Sequence, residues 1–484
     1  LFSTAVTLGC CVVGIFLAIV LSRPNLPWAG TMRLLSVLPL AIPSFLMALS
    51  VIMLFSKEGI VTRLLHFQPF NPFTPFGCFV VQVFAFFPLV TLTTSAALER
   101  MDPSLEEAAS VLGAPRAYTF STVSLPMLVP GVAAGAFLTF IRSFGDFATL
   151  ELLLPSQIKV IVVEAYRDMS GNTYWGGAAT MSTIMVAVIL GLLAVQKYWI
   201  ERNRYETMTG RAVASRRGGP AGLTGWLMFA GALLLLGFPL LNLLVILLLA
   251  SSATWGATLL PSHYTLANFS RVLAPAADGH YPLLNSLWLS GMALVGALLL
   301  AGTVCFIVAR TKIKGRQLLD LITVLPFIIP GTAFAIALIT CFNTPPLALH
   351  LTVYIVVLAY IVTRAPYAVR SIQASFQQIG PAMEESSRTL GATPNLTTWK
   401  VLVPLIRPGI IAGAIMIFIS CMTDVAITIM VCPPNWYPAS VDIFNRIADS
   451  SYFAASAYGM VLMAFIFIPY IIMLKVVGSR DMSL

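Results

Sequence analysis

The chain has 484 residues, of which 58% are hydrophobic and only 10% are Asp, Glu, Lys or Arg, where soluble domains carry about 25% charged residues. That much apolar surface cannot be hidden in a soluble interior, which excludes soluble enzymes, disordered scaffolds and secreted disulfide folds and leaves a polytopic membrane protein. The net charge of +9 then asks which loops hold the basic residues, and a nucleic-acid partner is not expected.

In chain order, apolar runs fall near 1–21, 34–55, 77–98, 127–147 and 178–198. After a polar stretch, six more fall near 223–250, 285–309, 318–341, 350–369, 407–430 and 456–477. Each is about the 20 residues that a helix needs to cross the hydrocarbon core. These eleven spans predict an all-α bundle. Pro39, Pro43, Pro88, Pro326, Pro330 and Pro366 lie inside them, which requires neighbouring helices to cover the freed carbonyls. LPxxxP at 38–43 and 325–330 reads as a packing kink, with a moving gate hinge as the alternative. The seven cysteines show no CxxC spacing and read as small hydrophobes inside helices.

The one long polar stretch, KYWIERNRYETMTGRAVASRRGGPAG, is basic and Gly-rich and divides the chain into 1–199, a linker at 200–222, and 223–484. With the linker in the cytoplasm and the spans alternating outward from it, 21 of the 28 Lys and Arg fall on the linker's side and 7 on the other. The excess of basic residues on the cytoplasmic side orients the bundle.

The two hydrophobic halves repeat each other. LEEAASVLGAPRAYTFSTVSLPMLVPGVAAG from Leu105 matches MEESSRTLGATPNLTTWKVLVPLIRPGIIAG from Met383 at a constant offset of 278, which also relates Asp146 to Asp424. LPLAIPSF from Leu38 matches LPFIIPGT from Leu325 at offset 287, as does Arg23 with Arg310. The difference of nine residues places a longer outer loop in the first half. Both copies enter the membrane in the same orientation, as parallel repeats do. Leu1 aligns with Trp288, so the repeat predicts one further span and loop before Leu1, and about twelve spans in the intact protein.

The repeated cytoplasmic block starts as a short helix. Asp102 with Pro103, and Gly380 with Pro381, suit its first positions. Leu105, Ala109 and Leu112 share one face, as do Met383, Ser387 and Leu390, and Gly113 and Gly391 supply the stop. The product is a small, partly apolar knob exposed in the cytoplasm, a shape that calls for a docking partner. Arg142 and Asp146 lie four apart near the end of the fourth span and are expected to share a helix face, while Asp424 has Ser420 in place of the arginine. Arg142, Asp146 and Asp424 are candidates for the translocation path, against a simple structural pair. Glu151 and Glu164 fall to the outer loop.

The doubled block resembles the EAA loop of permease subunits in binding-protein-dependent ABC importers of the type I (MetI/MalF-like) fold, and the resemblance spans nearly the whole chain. It implies two tandem copies of the type I transmembrane domain in a bacterial inner membrane. The docking residues become Glu106, Glu107, Ala108, Ala109 and Gly113 in the first copy, and Glu384, Glu385, Ser386, Ser387 and Gly391 in the second. Copy two departs from the family pattern at Ser386 and Ser387, where alanines are usual, so the two contacts need not be equivalent. Two ATPase subunits, which hold the ATP and Mg, dock there, and a periplasmic binding protein delivers substrate to the outer loops.

The chain has no Gly-Lys pair and hence no P-loop, no HExxH and no G-x-S-x-G, so a transport subunit without catalysis, cofactor or resident metal is expected. SFGDFATLELLL after the fourth span looks like a segment of fused ferric-iron permeases. Ferric iron is therefore the leading cargo, with 2-aminoethylphosphonate, thiamine or a sugar phosphate as alternatives. A secondary transporter or channel would instead show buried titratable relays and no docking loop.

Overall fold

The computed structural model describes residues 1–22, 26–99, 101, 104–171, 174–202, 222–255, 258–275, 279, 281–378 and 382–481. The predicted helix starts at Asp102, Pro103, Gly380 and Pro381, as well as Arg23 and most of the linker, lie outside them.

The first repeat runs α1 (Phe2–Leu21), α2 (Ala29–Val37), α3 (Ser44–Phe55), α4 (Ile60–Leu65), α5 (Pro75–Glu99), α6 (Ser104–Val111), α7 (Arg116–Thr119), α8 (Leu125–Phe144), α9 (Phe147–Leu153), α10 (Ile161–Ser170) and α11 (Trp175–Arg202). Next come α12 (Gly222–Ala250), a two-stranded antiparallel hairpin of Ser252–Thr254 with His263–Tyr264, and α13 (Ala267–Leu273). The second repeat runs α14 (Pro282–Arg310), α15 (Arg316–Ile328), α16 (Gly331–Cys341), α17 (Val353–Gln378), α18 (Ala382–Thr389), α19 (Pro394–Thr397), α20 (Val403–Met422), α21 (Thr428–Val431), α22 (Ala439–Ala448) and α23 (Tyr452–Asp481). The sequence offset survives as structure: α8 and α20 begin and end 278 residues apart, as do α10 and α22. α4 belongs to the longer outer loop of the first copy.

Among the described residues, ten helical segments are long and apolar enough to cross a membrane, one of them running through α3 and α4 (Ser44–Leu65), and there are eleven when α15 with α16, bent by 111°, is counted as one span. The LPxxxP motifs are the breaks. Pro43 and Pro330 stand at the N-caps of α3 and α16, and the residues before them, Ile42 and Ile329, are extended. Proline forces this, because its ring disfavours helical geometry in the residue before it. A full break, sharper than a kink, therefore replaces a continuous span over 34–55 and 318–341.

The chain packs as two compact units, 1–164 with 184–264, and 165–183 with 265–484. The units do not follow the repeat. α12, the opening span of the second half in sequence, packs against α1, α2 and α3. Phe229, Ala232 and Leu236 join the core of α1 and α5, and Ser50 Oγ donates to the Asn242 carbonyl at 2.8 Å.

In each unit one long helix packs closely against two others, α5 against α1 and α8, and α17 against α14 and α20; in α5 with α8 and α17 with α20 the approach is closest at glycines. The contact is made by GxxxG pairs, Gly131 with Gly135 and Gly409 with Gly413. A Cβ on Gly135 would lie 2.7 Å from Val90 Cα, and one on Gly413 would lie 2.7 Å from Ala368 Cα. Both neighbours are backbone atoms of a packed helix and cannot yield. Replacing either Gly135 or Gly413 with Val is therefore expected to cost at least about 1–3 kcal/mol, the usual range for overpacking, read as a lower melting temperature of the detergent-solubilised protein. Replacing Gly291, which has open space beside it, is the matched control and should leave the melt unchanged.

Candidate functional site

The two repeated loops connect the members of these close pairs, α6 between α5 and α8, and α18 between α17 and α20. Both short helices end as the sequence predicts. Gly113 and Gly391 adopt φ of +80° and +84°, a left-handed conformation that glycine reaches without strain. The Ala392 amide donates to the Ser387 carbonyl at 3.1 Å and the Gly391 amide to Arg388 at 2.9 Å, a complete Schellman cap. In the first copy the Ala114 amide closes the same ring on Ala109 at 3.0 Å.

The cap turns apolar side chains outward. Val111, Leu112 and Leu390 are 88%, 86% and 88% exposed, and Leu105 and Met383 are exposed beside them. Ala108, Glu385 and Ser386 are also exposed, while Ala109 and Ser387 are half-buried. The Glu107 side chain lies outside what the structure describes. The serines of copy two are accommodated: Ser387 Oγ hydrogen-bonds Thr397 Oγ1 at 3.0 Å and so knits α18 to α19.

The first glutamate of each block behaves differently from the second. Glu106 accepts from Ser124 Oγ at 2.6 Å. Glu384 is ion-paired with Arg310 at the end of α14. These two carboxylates face their own transmembrane helices and hold the short helices in place, which spacing alone could not distinguish from surface exposure.

Beyond each loop the chain passes through a turn of π-helix, Phe120–Ser124 and Thr398–Leu402, immediately before Pro126 and Pro404. A wider turn suits a proline that has no N–H to give and whose ring would clash with an α-helical carbonyl four residues back.

The candidate path residues are separated. α8 ends at Phe144 with Gly145 as its cap, and Asp146 starts α9 as N-cap, accepting from the Thr149 amide at 3.5 Å. The break removes the shared helix face expected for Arg142 and Asp146. Arg142 is exposed, whereas the Asp146 carboxylate accepts from Ser44 Oγ at 3.1 Å and Gln82 Nε2 at 2.9 Å. Gln82 in turn accepts from Ser143 Oγ at 2.6 Å. In copy two, Asp424 also caps its turn, accepting from the Ile427 amide at 3.3 Å, but its partner is Arg364 at 3.1 Å. Tyr360, which replaces Gln82 at offset 278, hydrogen-bonds Thr428 at 2.5 Å. One carboxylate is thus held by neutral donors and the other by a buried cation. Gln82 and Tyr360 escaped the sequence reading, and Arg364, one of the 21 basic residues counted on the linker's side, instead lies within α17 as the partner of Asp424; a polar or charged residue in the middle of an apolar run is the signal that marks them.

The inner membrane component of binding-protein-dependent transport systems, as a family, matches residues 11–205 and 294–478. The chain belongs to this family. The two matches fall on the two repeats, and each contains one capped loop helix. A ferric transport system permease protein of Actinobacillus pleuropneumoniae is 27% identical to the chain over 442 residues, 89% of the chain and 63% of that protein. The chain thus spans less than two thirds of that relative's length. A probable ABC transporter permease protein of Sinorhizobium fredii is 29% identical over 490 residues, 96% of the chain and 84% of that protein. An Fe(3+)-transport system permease protein of Haemophilus influenzae is 23% identical over 481 residues, 98% of the chain and 88% of that protein.

The two buried carboxylates separate in a stability measurement. Arg364→Met strands Asp424, whose side chain is 4% exposed, and should cost about 3–5 kcal/mol. Asp146→Asn keeps a hydrogen-bonding side chain among neutral donors and should cost less than about 1.5 kcal/mol. Equal losses in thermal unfolding would show that Arg364 is not the charge partner of Asp424.

Proposed function

We propose that this chain is the fused transmembrane subunit of an ABC importer in a bacterial inner membrane, that two ATPase subunits dock on α6 and α18, and that ferric iron is the cargo. The observation that carries the docking is the pair of Schellman-capped helices, each presenting exposed Leu side chains at the same place in two repeats. An apolar tip held by a polar base is suited to a groove on a partner protein. ATP and Mg reside on that partner, and a periplasmic binding protein meets the outer loops. Translocation is the chain's own step, performed by rearrangement of its spans while hydrolysis occurs elsewhere.

Cargo identity rests on the relatives named for ferric transport, which cover 89% and 98% of the chain. A protein of Salmonella typhimurium named for 2-aminoethylphosphonate transport is 27% identical over 233 residues, 48% of the chain. Exposed Arg142 would suit such an anion, and this is the second reading. Asp146 and Asp424 are engaged by the protein's own donors, so recognition of iron is assigned to the binding protein and not to a carboxylate cage in the spans.

Two outcomes follow. Gly113→Pro combined with Gly391→Pro forbids the left-handed cap, since proline holds φ near about −65°, and recovery of the ATPase with the purified subunit should be lost. Undiminished recovery would remove the docking assignment. The purified cognate binding protein should bind radiolabelled ferric iron and not 2-aminoethylphosphonate, and the opposite preference would transfer the cargo to the second reading.

A further inference from the structure

The two docking helices are fastened to different parts of the membrane domain. In copy one Glu106 is held by Ser124, at the entrance to α8. Position 402 of copy two, the counterpart of Ser124, is a buried Leu and offers no hydroxyl. Glu384 turns instead to Arg310, the last residue of α14, and their side chains are 13% and 17% exposed. The same guanidinium lies 5.0 Å above the ring of Phe376, near the end of α17, and Phe376 is itself 6% exposed. One cation therefore touches three helices. Helix dipoles favour the arrangement: Glu384 lies in the first turn of α18 and Arg310 in the last turn of α14, so each charge complements its own helix end. α14 and α17 are packed along their length, and Cys305 Sγ in α14 donates to the Val369 carbonyl in α17 at 3.3 Å. They form a stiff post to which α18 is pinned by a charge-assisted contact.

We infer that Arg310 is a positioning residue that transmits movement of α18 to the α14–α17 pair, so that the second docking helix drives the membrane domain through the Arg310–Glu384 contact. This rests on the proposal that an ATPase subunit docks on α18. Arg310 itself touches neither cargo nor the docking surface. It acts through Glu384, and without it α18 would move relative to its post instead of carrying it.

The test uses the whole transporter in proteoliposomes, with its ATPase subunits and the binding protein loaded with ferric iron. Wild type should retain the ATPase and show hydrolysis stimulated by the loaded binding protein. Arg310→Gln should retain the ATPase and its basal hydrolysis while stimulation falls by about tenfold or more, the scale on which loss of a buried charge partner acts. Arg310→Lys, which keeps a cation at the same helix end, should recover a substantial part of the stimulation that Arg310→Gln loses, which a purely space-filling role for Arg310 would not give. Undiminished stimulation in Arg310→Gln would overturn the inference. So would an Arg310→Lys variant no better than Arg310→Gln. ATPase lost from Arg310→Gln but kept by wild type would also overturn it, because Arg310 would then only maintain the docking surface. Failure of wild type to retain the ATPase would count against docking itself.

Discussion

The two loop helices hang between spans whose backbones approach closely. Gly135 against Val90 and Gly413 against Ala368 bring α8 onto α5 and α20 onto α17 with only small side chains, such as those of Thr93 and Ala368, at the contact. In lipid, where apolar surface has no water to escape, close packing of this kind replaces the hydrophobic effect as the force between helices. Because α6 and α18 join the two members of each pair, their positions are set by that backbone contact. A loop helix strung between loosely packed spans would have no stable base from which to present Leu112 or Leu390.

On this symmetric frame the polar chemistry is unequal. Asp146 is held by Ser44 and Gln82, while Asp424 is held by Arg364, a residue whose counterpart at offset 278 is Phe86. The loop glutamates differ in the same way, with a serine under Glu106 and an arginine under Glu384. In each case copy two uses a partly buried ion pair where the described contacts of copy one are neutral donors. A buried ion pair is more sensitive to loss of one member than a neutral hydrogen bond is, so the second half has the more brittle set of contacts.

Much of the architecture was legible in the sequence because it follows from local rules. A bilayer demands about 20 apolar residues per crossing, and the eleven runs were visible for that reason. The left-handed caps at Gly113 and Gly391 were legible because few other residues tolerate that backbone. The break at Pro43 and Pro330 was underestimated, since proline marks a bend without stating its angle. What stayed hidden depends on tertiary geometry. α12 is apolar all round, so nothing in it names α3 as its neighbour. The partition between outward Glu385 and inward Glu384 needed Arg310, 74 positions earlier, to be placed beneath it. Arg142 and Asp146 were expected together because helical spacing was assumed to continue through Gly145.

The π-helical turns before Pro126 and Pro404 also date events in the history of the chain. A π-turn is an α-helix that has received one extra residue. Both copies carry it at the same aligned position, Phe120–Ser124 and Thr398–Leu402. The insertion is therefore older than the duplication and was inherited by both halves. The outer loop containing α4 occurs in one copy only, and so the length difference arose after the halves had parted. The same ordering applies to Arg364 opposite Phe86 and to Ser124 opposite Leu402. The widened turn is ancestral, and the different anchoring of the two loop helices is a later specialisation of a gene that had already doubled.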